Sequence, residues 1–201
     1  MTIDHDVVDE VIDFSEEMVF CEEDMGTEVS SAAPWTILIV DDDDSIHQAT
    51  EMALNGAIIL DRHIKIINAN SRADGFNKFM EHKDEISLVL IDVIMESNTA
   101  GLDLVRDIRA IPCGKDVRLI VRTGQPGMAV ESDVLFRYDI NGYMLKTEVT
   151  RSKLLSFLTT GLRDRETIRS LITQVKSIEK LLCESPELFN KYLSSKDATI
   201  M

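Results

Sequence analysis

Leu88-Val-Leu-Ile-Asp92-Val-Ile-Met-Glu96 is the stretch whose reading decides the fold. Ile86 to Ile91 form a short, β-branched, almost continuously apolar run. Its length is below that of an ordinary buried helix and suits a strand covered on both faces of a parallel sheet. Nothing charged interrupts the run until Asp92 at its C-terminal end. In open α/β sheets that edge is where ligands and chemistry gather. A lone Asp after a buried strand also serves as a helix cap or turn residue, so the weight of Asp92 depends on what the other strands carry at the same edge.

Working outward, the same grammar repeats. Thr36 to Val40 is a buried strand ending in Asp41-Asp42-Asp43-Asp44, followed by a helix from Ser45 to Asn55 with Ser45 or Asp44 as N-cap and Gly56 beyond its end. Ile64 to Ala69 is the next strand, and Ser71 opens a helix to about Lys83. After the Asp92 strand come a loop through Asn98, a helix from Leu102 to Ala110, and breaks at Pro112 and Gly114. Strand Val117 to Arg122, the loop from Thr123 to Gly127, a helix from about Met128 to Tyr138, and a short strand from Tyr143 to Leu145 follow. A long helix starts near Thr150. Five strands alternating with five helices predict an α/β doubly wound, five-stranded parallel sheet with right-handed crossovers.

Composition bounds the function. The 201 residues are 44% hydrophobic and 28% charged, ordinary for a soluble globular chain. The net charge of −15 is uneven: residues 1–61 hold 17 acids and no Lys or Arg, whereas the remainder is nearly balanced. Without a basic stripe to track a phosphate backbone, nucleic-acid binding is not expected. Cys21, Cys113 and Cys183 are scattered and odd in number, which suits a reducing cytoplasm better than a disulfide framework or zinc site. No apolar run approaches the ~20 residues of a membrane span, and the acidic N-terminus lacks the basic start of a signal peptide.

Collected at the C-terminal strand edge are Asp41 and Asp42, Asp92, Thr123 and Lys146. A flavodoxin-like strand order would make their four strands contiguous and bring the side chains into one crevice. Three carboxylates without His or Cys are hard oxygen ligands suited to Mg²⁺, and their mutual repulsion calls for a cation. A hydroxyl and an ammonium opposite them are what a phosphoryl group on Asp92 would need. Taken singly, an acidic tetrad is usually a solvated turn, a Thr a cap and a Lys a surface residue; their joint occurrence favours function.

With ILIVDDDD, LVLIDVIM, RLIVRTG and GYMLK in this order, the chain from about Trp35 to Leu162 resembles the receiver domain of bacterial two-component response regulators. The resemblance implies a cytoplasmic response regulator in which Asp92 accepts a phosphoryl group from a histidine kinase or phosphotransfer protein. It also implies that Asp42 binds Mg²⁺ directly and Asp41 mainly through water, with Asp92 and the backbone carbonyl of Ile94 completing the protein ligands. Thr123 would be the switch hydroxyl, Lys146 the phosphate partner and Tyr143 the aromatic that changes rotamer. Autodephosphorylation would be the only other chemistry, and the apolar bulk of Ile94 beside the site predicts that it is slow. RTGQPG and YDINGYMLKTEVT are similar to a subgroup that often continues into a domain of unknown function and an output module such as a cyclic-dinucleotide phosphodiesterase or a kinase; no such module fits in this chain. Two positions depart from the pattern. Thr147 stands where a cis-Pro usually follows the lysine, and Glu96 where a Pro usually follows Met95. The loop to Gly101 also looks about one residue longer than usual.

Outside that domain, residues 1–34 are an acidic leader and linker in which Val7, Val8, Val11, Ile12, Phe14, Met18 and Val19 approach a helical stripe. A disordered solubilising tail and an amphipathic helix docking on a partner or on its own domain both fit. Residues 163–201 read as a helical connector. Ile168, Leu171, Val175, Ile178 and Leu182 fall on 3-4 spacing, which suits a parallel, dimerising helix that passes the switch to an output domain or protein, or else packing on its own domain. Ser185-Pro186 starts a further short helix to about Leu193.

Two rivals come from other classes. Asp41-x-Asp43 resembles the nucleophile motif of haloacid-dehalogenase-like phosphohydrolases, but the second acidic pair that they need is missing downstream. An interaction module on the same fold, with phosphorylation vestigial, sits poorly with an intact acceptor, acid pair, Thr and Lys. An EF-hand fails because Ile46 and Met52 occupy the loop Gly and Glu positions.

Overall fold

The computed structural model describes residues 32–124, 137–148 and 150–184. Its elements are β1 (Trp35–Val40), α1 (Asp44–Leu54), β2 (Ile58–Ile59), β3 (Arg62–Ala69), α2 (Arg72–Glu81), β4 (Ile86–Asp92), α3 (Ala100–Arg109), β5 (Arg118–Thr123), β6 (Gly142–Leu145) and α4 (Arg151–Glu184). The sheet runs β2-β3-β1-β4-β5-β6. Every described pairing is parallel except the two-residue contact of β2 with β3. The five strands expected from the sequence thus lie in flavodoxin-like order, and β4 is buried along its whole length.

Alternation along the strands explains why both faces are covered. Leu38, Val40, Val89, Ile91, Leu119 and Val121 pack with Phe79 of α2 and Leu104 and Ile108 of α3. Their neighbours Ile37, Ile39, Leu88, Leu90, Ile120 and Met144 face the other way, against Leu54 of α1 and Leu154, Leu158 and Leu162 of α4. The first half of α4 is therefore part of the domain. Arg165 is its last buried described residue; Leu171, Val175 and Ile178 are more than half exposed.

Several expectations needed correction. The N-cap of α1 is Asp43, neither Asp44 nor Ser45: its backbone is extended and its carboxylate accepts from Ser45 N at 2.8 Å. β3 starts at Arg62 rather than Ile64, because Leu60 and Asp61, both at positive φ, close a two-residue hairpin that adds β2. A type I′ turn needs positive φ at both central residues, and Leu-Asp does not advertise it as Asn-Gly does. α2 ends at Glu81 instead of Lys83, and α3 begins two residues before Leu102. Lys146–Glu148 form a 3-10 turn and no described peptide bond is cis, so the local geometry at Thr147 differs from the cis-Pro pattern. The acidic leader up to residue 31, nearly all of the helix expected at Met128–Tyr138, and the helix from Ser185 lie outside the described residues.

Gly101 is required by close approach. A Cβ there would overlap the backbone carbonyl of Asp92, and its amide donates to Val93 O at 3.1 Å. This seats the start of α3 directly on the strand end that carries Asp92. Gly101→Ala is expected to lower unfolding free energy in urea by about 3 kcal/mol. Gly56→Ala, at φ +68° with no atom near its missing Cβ, should cost only about 1 kcal/mol. Equal losses would contradict the close-approach argument.

Candidate phosphoacceptor site

The acidic tetrad divides into four environments. Asp41 follows β1 and is fully buried, whereas Asp42 is exposed. Asp43 caps α1, and the hydrogen bonds from Ser45 hold its carboxyl below the usual carboxylate range. Asp44 begins α1 and accepts from Asn70 Nδ2 at 2.9 Å. Only the first two therefore face the edge where β4 ends in Asp92. One carboxylate oxygen each from Asp41, Asp42 and Asp92 lie within 4.8 Å of one another. Hard anionic oxygens at this spacing fit a divalent cation with oxygen preference. Asp92 Oδ1 is moreover buried without any hydrogen-bond partner, an acceptor that such an ion would satisfy.

Lys146, immediately after β6, bridges the two buried carboxylates. Its Nζ stands 2.9 Å from Asp92 Oδ2 and 2.9 Å from Asp41 Oδ2. Burial alone would lower the lysine's pKa, but the hydrogen bonds to Asp92 and Asp41 outweigh it and hold the ammonium above its ordinary value. Burial pushes the Asp92 carboxyl up, and the pull of Lys146 offsets only part of that. Thr123 closes β5 beside this cluster and is buried; Tyr143, on β6, is half-buried. Ile94 lies two residues beyond Asp92, half-buried, in the loop. Glu96 in that loop accepts from Arg72 N at 3.0 Å, at the first residue of α2. An anion at a helix N-terminus is favourable, which gives Glu96 a local reason to stand where the pattern has Pro.

Two residues were not singled out from the sequence. Arg122, a buried arginine on the α1 side of β5, points Nη2 at Asp41 Oδ2 (3.5 Å) and Nη1 at Thr50 Oγ1 (3.1 Å). His47, also buried, meets the Asp41 backbone carbonyl through Nε2 at 2.8 Å. The available signal was the charge itself: an arginine that follows the apolar run Leu119–Val121 inside a strand needs a buried acceptor. Asp41 is thus gripped from the lysine side, the arginine side and its own backbone.

A parallel sheet in the 2-1-3-4-5 sense, with an acidic cluster and a half-buried lysine at its carboxyl edge, defines the class of doubly wound, flavodoxin-like folds. Residues 37–159 match the family model described as the response regulator receiver domain, and the chain belongs to that family. It is 44% identical over 133 residues, 66% of this chain, to the 3'3'-cGAMP-specific phosphodiesterase 2 of Vibrio cholerae serotype O1. The match spans only 25% of that relative's length. Solved structures agree on the fold. A receiver domain protein from Clostridium thermocellum superposes with TM-score 0.57 at 22% identity, covering 67% of this chain and 98% of its own. The signal receiver domain of an HD domain-containing protein from Pseudomonas fluorescens Pf-5 gives 0.58 at 19% identity, covering 70% and 96%. Membership places the chain in phosphorelay signalling. No helix among the described residues is long and apolar enough to cross a membrane.

Lys146→Met would leave two buried carboxylates without their shared cation and is expected to cost about 3 kcal/mol. Neutralising one of them should return part of that loss. Lys146→Met with Asp92→Asn is therefore expected to unfold at higher urea than Lys146→Met alone. Strict additivity of the two substitutions would contradict the bridge.

Proposed function

We propose that Asp92 is the phosphoacceptor of a Mg²⁺-dependent receiver, loaded by a histidine kinase or phosphotransfer protein in the cytoplasm. The observation that carries this reading is the Lys146 ammonium held between Asp41 and Asp92 beside an unpartnered Asp92 oxygen. Asp41, Asp42, Asp92 and the Ile94 carbonyl would hold the metal. When bound, Mg²⁺ supplies charge neutralisation for the transferring group. Asp92 attacks the donor phosphorus in line through a carboxylate oxygen, and the donor's bond to phosphorus breaks as the new one forms. Lys146 stays within reach of both Asp92 and the incoming phosphoryl oxygens. Thr123 donates its hydroxyl to another oxygen, and this inward pull on the end of β5 frees space for Tyr143 to turn in. The switch is a population shift between two states a few kcal/mol apart.

In this reading the chain divides into a leader and linker over 1–34, a receiver over 35–162 and a connector from 163; the loss of burial along α4 beyond Arg165 lies within a turn of the last boundary. Beyond Arg165, α4 leaves the body with Leu171, Val175 and Ile178 exposed along one side. That heptad-spaced stripe suits a parallel homodimer, since a projecting helix of this length is marginal in water alone. The recipient of the signal is a downstream output domain or protein. Likeness to the Vibrio enzyme favours a cyclic-dinucleotide phosphodiesterase as its class.

Intact mass after incubation with a small phosphodonor and Mg²⁺ tests the reading. One phosphoryl adduct is expected in the wild type and none in Asp92→Asn or without Mg²⁺; an adduct retained in Asp92→Asn would refute the assignment. Followed over time, the adduct should be long-lived, because Ile94 screens it from attacking water, and Ile94→Asn should shorten its life. A half-life of seconds unchanged by that substitution would contradict the screening role. In sedimentation equilibrium the wild type is expected at twice the chain mass and Val175→Glu at the single-chain mass; a wild-type monomer would exclude the dimer.

A further inference from the structure

At the opposite end of the sheet from Asp92, the base of α4 and the N-terminal ends of the strands enclose an open groove of about 1180 Å³. Six basic side chains line it against four acidic ones, an excess of positive charge in a chain that is acidic overall. Arg165 forms its floor. This arginine is 3% exposed, and its guanidinium meets only neutral oxygens: Ser87 Oγ and Ile86 O, each at 3.0 Å. Arg165 Nε has no partner at all. Burial draws its pKa down to about 10, still far enough above neutrality that it remains a cation. Arg169, half-exposed, reaches Asp116 only at 3.5 Å, and Lys176 lies about two helical turns further along the same side of α4. The groove is built to take negative charge.

Ala33 and Pro34 belong to the groove wall, with Arg62 donating from Nε to the Ala33 carbonyl. Residues 1–31 are therefore tethered through Ala32 to the wall of this groove. Residues 1–31 carry eleven acids and no Lys or Arg. Asp24, eight residues before Ala32, has a reach of up to roughly 25 Å, enough to pass along the base of α4. At 100° per residue, Arg165, Arg169, Ile172 and Lys176 share one side of the helix, about a third of a turn from Leu171, Val175 and Ile178. A ligand in the groove would leave the apolar stripe free.

We propose that the acidic leader is an intramolecular ligand of this groove, its carboxylates lying against Arg165, Arg169, Lys115 and Lys176. Tethering makes the contact effectively unimolecular, so individually weak surface ion pairs add up to an occupied site. The leader then braces α4 where the helix leaves the domain, against the base of the strand that carries Asp92 at its other end. The bracing is electrostatic and independent of phosphoryl chemistry.

Zero-length carbodiimide cross-linking of the full chain, read by peptide mass spectrometry, tests this. Leader carboxylates are expected to couple to Lys115 and Lys176 within one chain, as shown by a mixture of unlabelled and ¹⁵N-labelled protein that yields no mixed-isotope pairs. The yield should fall roughly fivefold in Arg169→Glu and likewise in 1 M salt, where the screening length shrinks to about 3 Å. Mixed-isotope pairs would assign the groove to a second copy's leader and overturn the intramolecular site. Absence of leader-to-groove pairs would overturn it, as would a yield indifferent to salt. The salt series on the wild type decides the matter even if the variant does not fold.

Discussion

Two carboxylates withdrawn from water share one ammonium group at the carboxyl edge of the sheet, and the rest of the architecture is arranged to keep them there. Asp41 and Asp92 end neighbouring parallel strands, so the β1–β4 pairing fixes their separation. Lys146 comes from β6, two strands away from β4. Bringing it between them requires the whole β4-β5-β6 ladder to hold its register. Burying like charges together is costly unless opposite charge and hydrogen bonds compensate. The lysine supplies part of that compensation, Arg122 more from beneath, and the Asp92 oxygen left unpartnered is where compensation is still incomplete. An edge in that condition is receptive to a cation, and a phosphoryl group would draw Lys146 onto itself.

Arg122 shows how the core and the site depend on each other. Its guanidinium spans from Asp41 to Thr50 in the middle of α1, while Thr50 Oγ1 itself donates to Ile46 O at 2.7 Å. Burial disfavours the charged arginine, and the field of Asp41 and Asp92 opposes that. The arginine therefore belongs to the acidic edge and not to the apolar layer around it. A change of charge at that edge is felt on the α1 face of the sheet, against which the first half of α4 also packs.

Much of this was legible from residues alone. Ile86 to Ile91 could hardly be anything but a buried strand, and the alternation of strands and helices then left one doubly wound topology. Asp41, Asp42, Asp92, Thr123 and Lys146 were legible because each stands at a strand end, where placement follows from topology without knowledge of packing. Less legible were features decided by tertiary contact or local dihedrals. The Leu60–Asp61 turn uses residues that carry no positive-φ signal. The cap of α1 could be any of several adjacent acidic or hydroxyl residues until the backbone turned. Arg122, His47 and Arg165 acquire their meaning only from partners 6 to 81 residues away. Glu96 looked like a departure until α2 placed Arg72 N against it.

The central claim is that the carboxyl-edge cluster is a prebuilt site whose occupation is transmitted to the switch residues. Backbone amide spectra of the ¹⁵N-labelled chain, titrated with beryllium fluoride in the presence of Mg²⁺, test it most directly, because the mimic fills the site without transferring anything. The account predicts saturation near one equivalent, with shifts at Ile94, Thr123, Tyr143 and Lys146 and none in Asp92→Asn. Spectra unchanged by the mimic, or changed equally in Asp92→Asn, would contradict it.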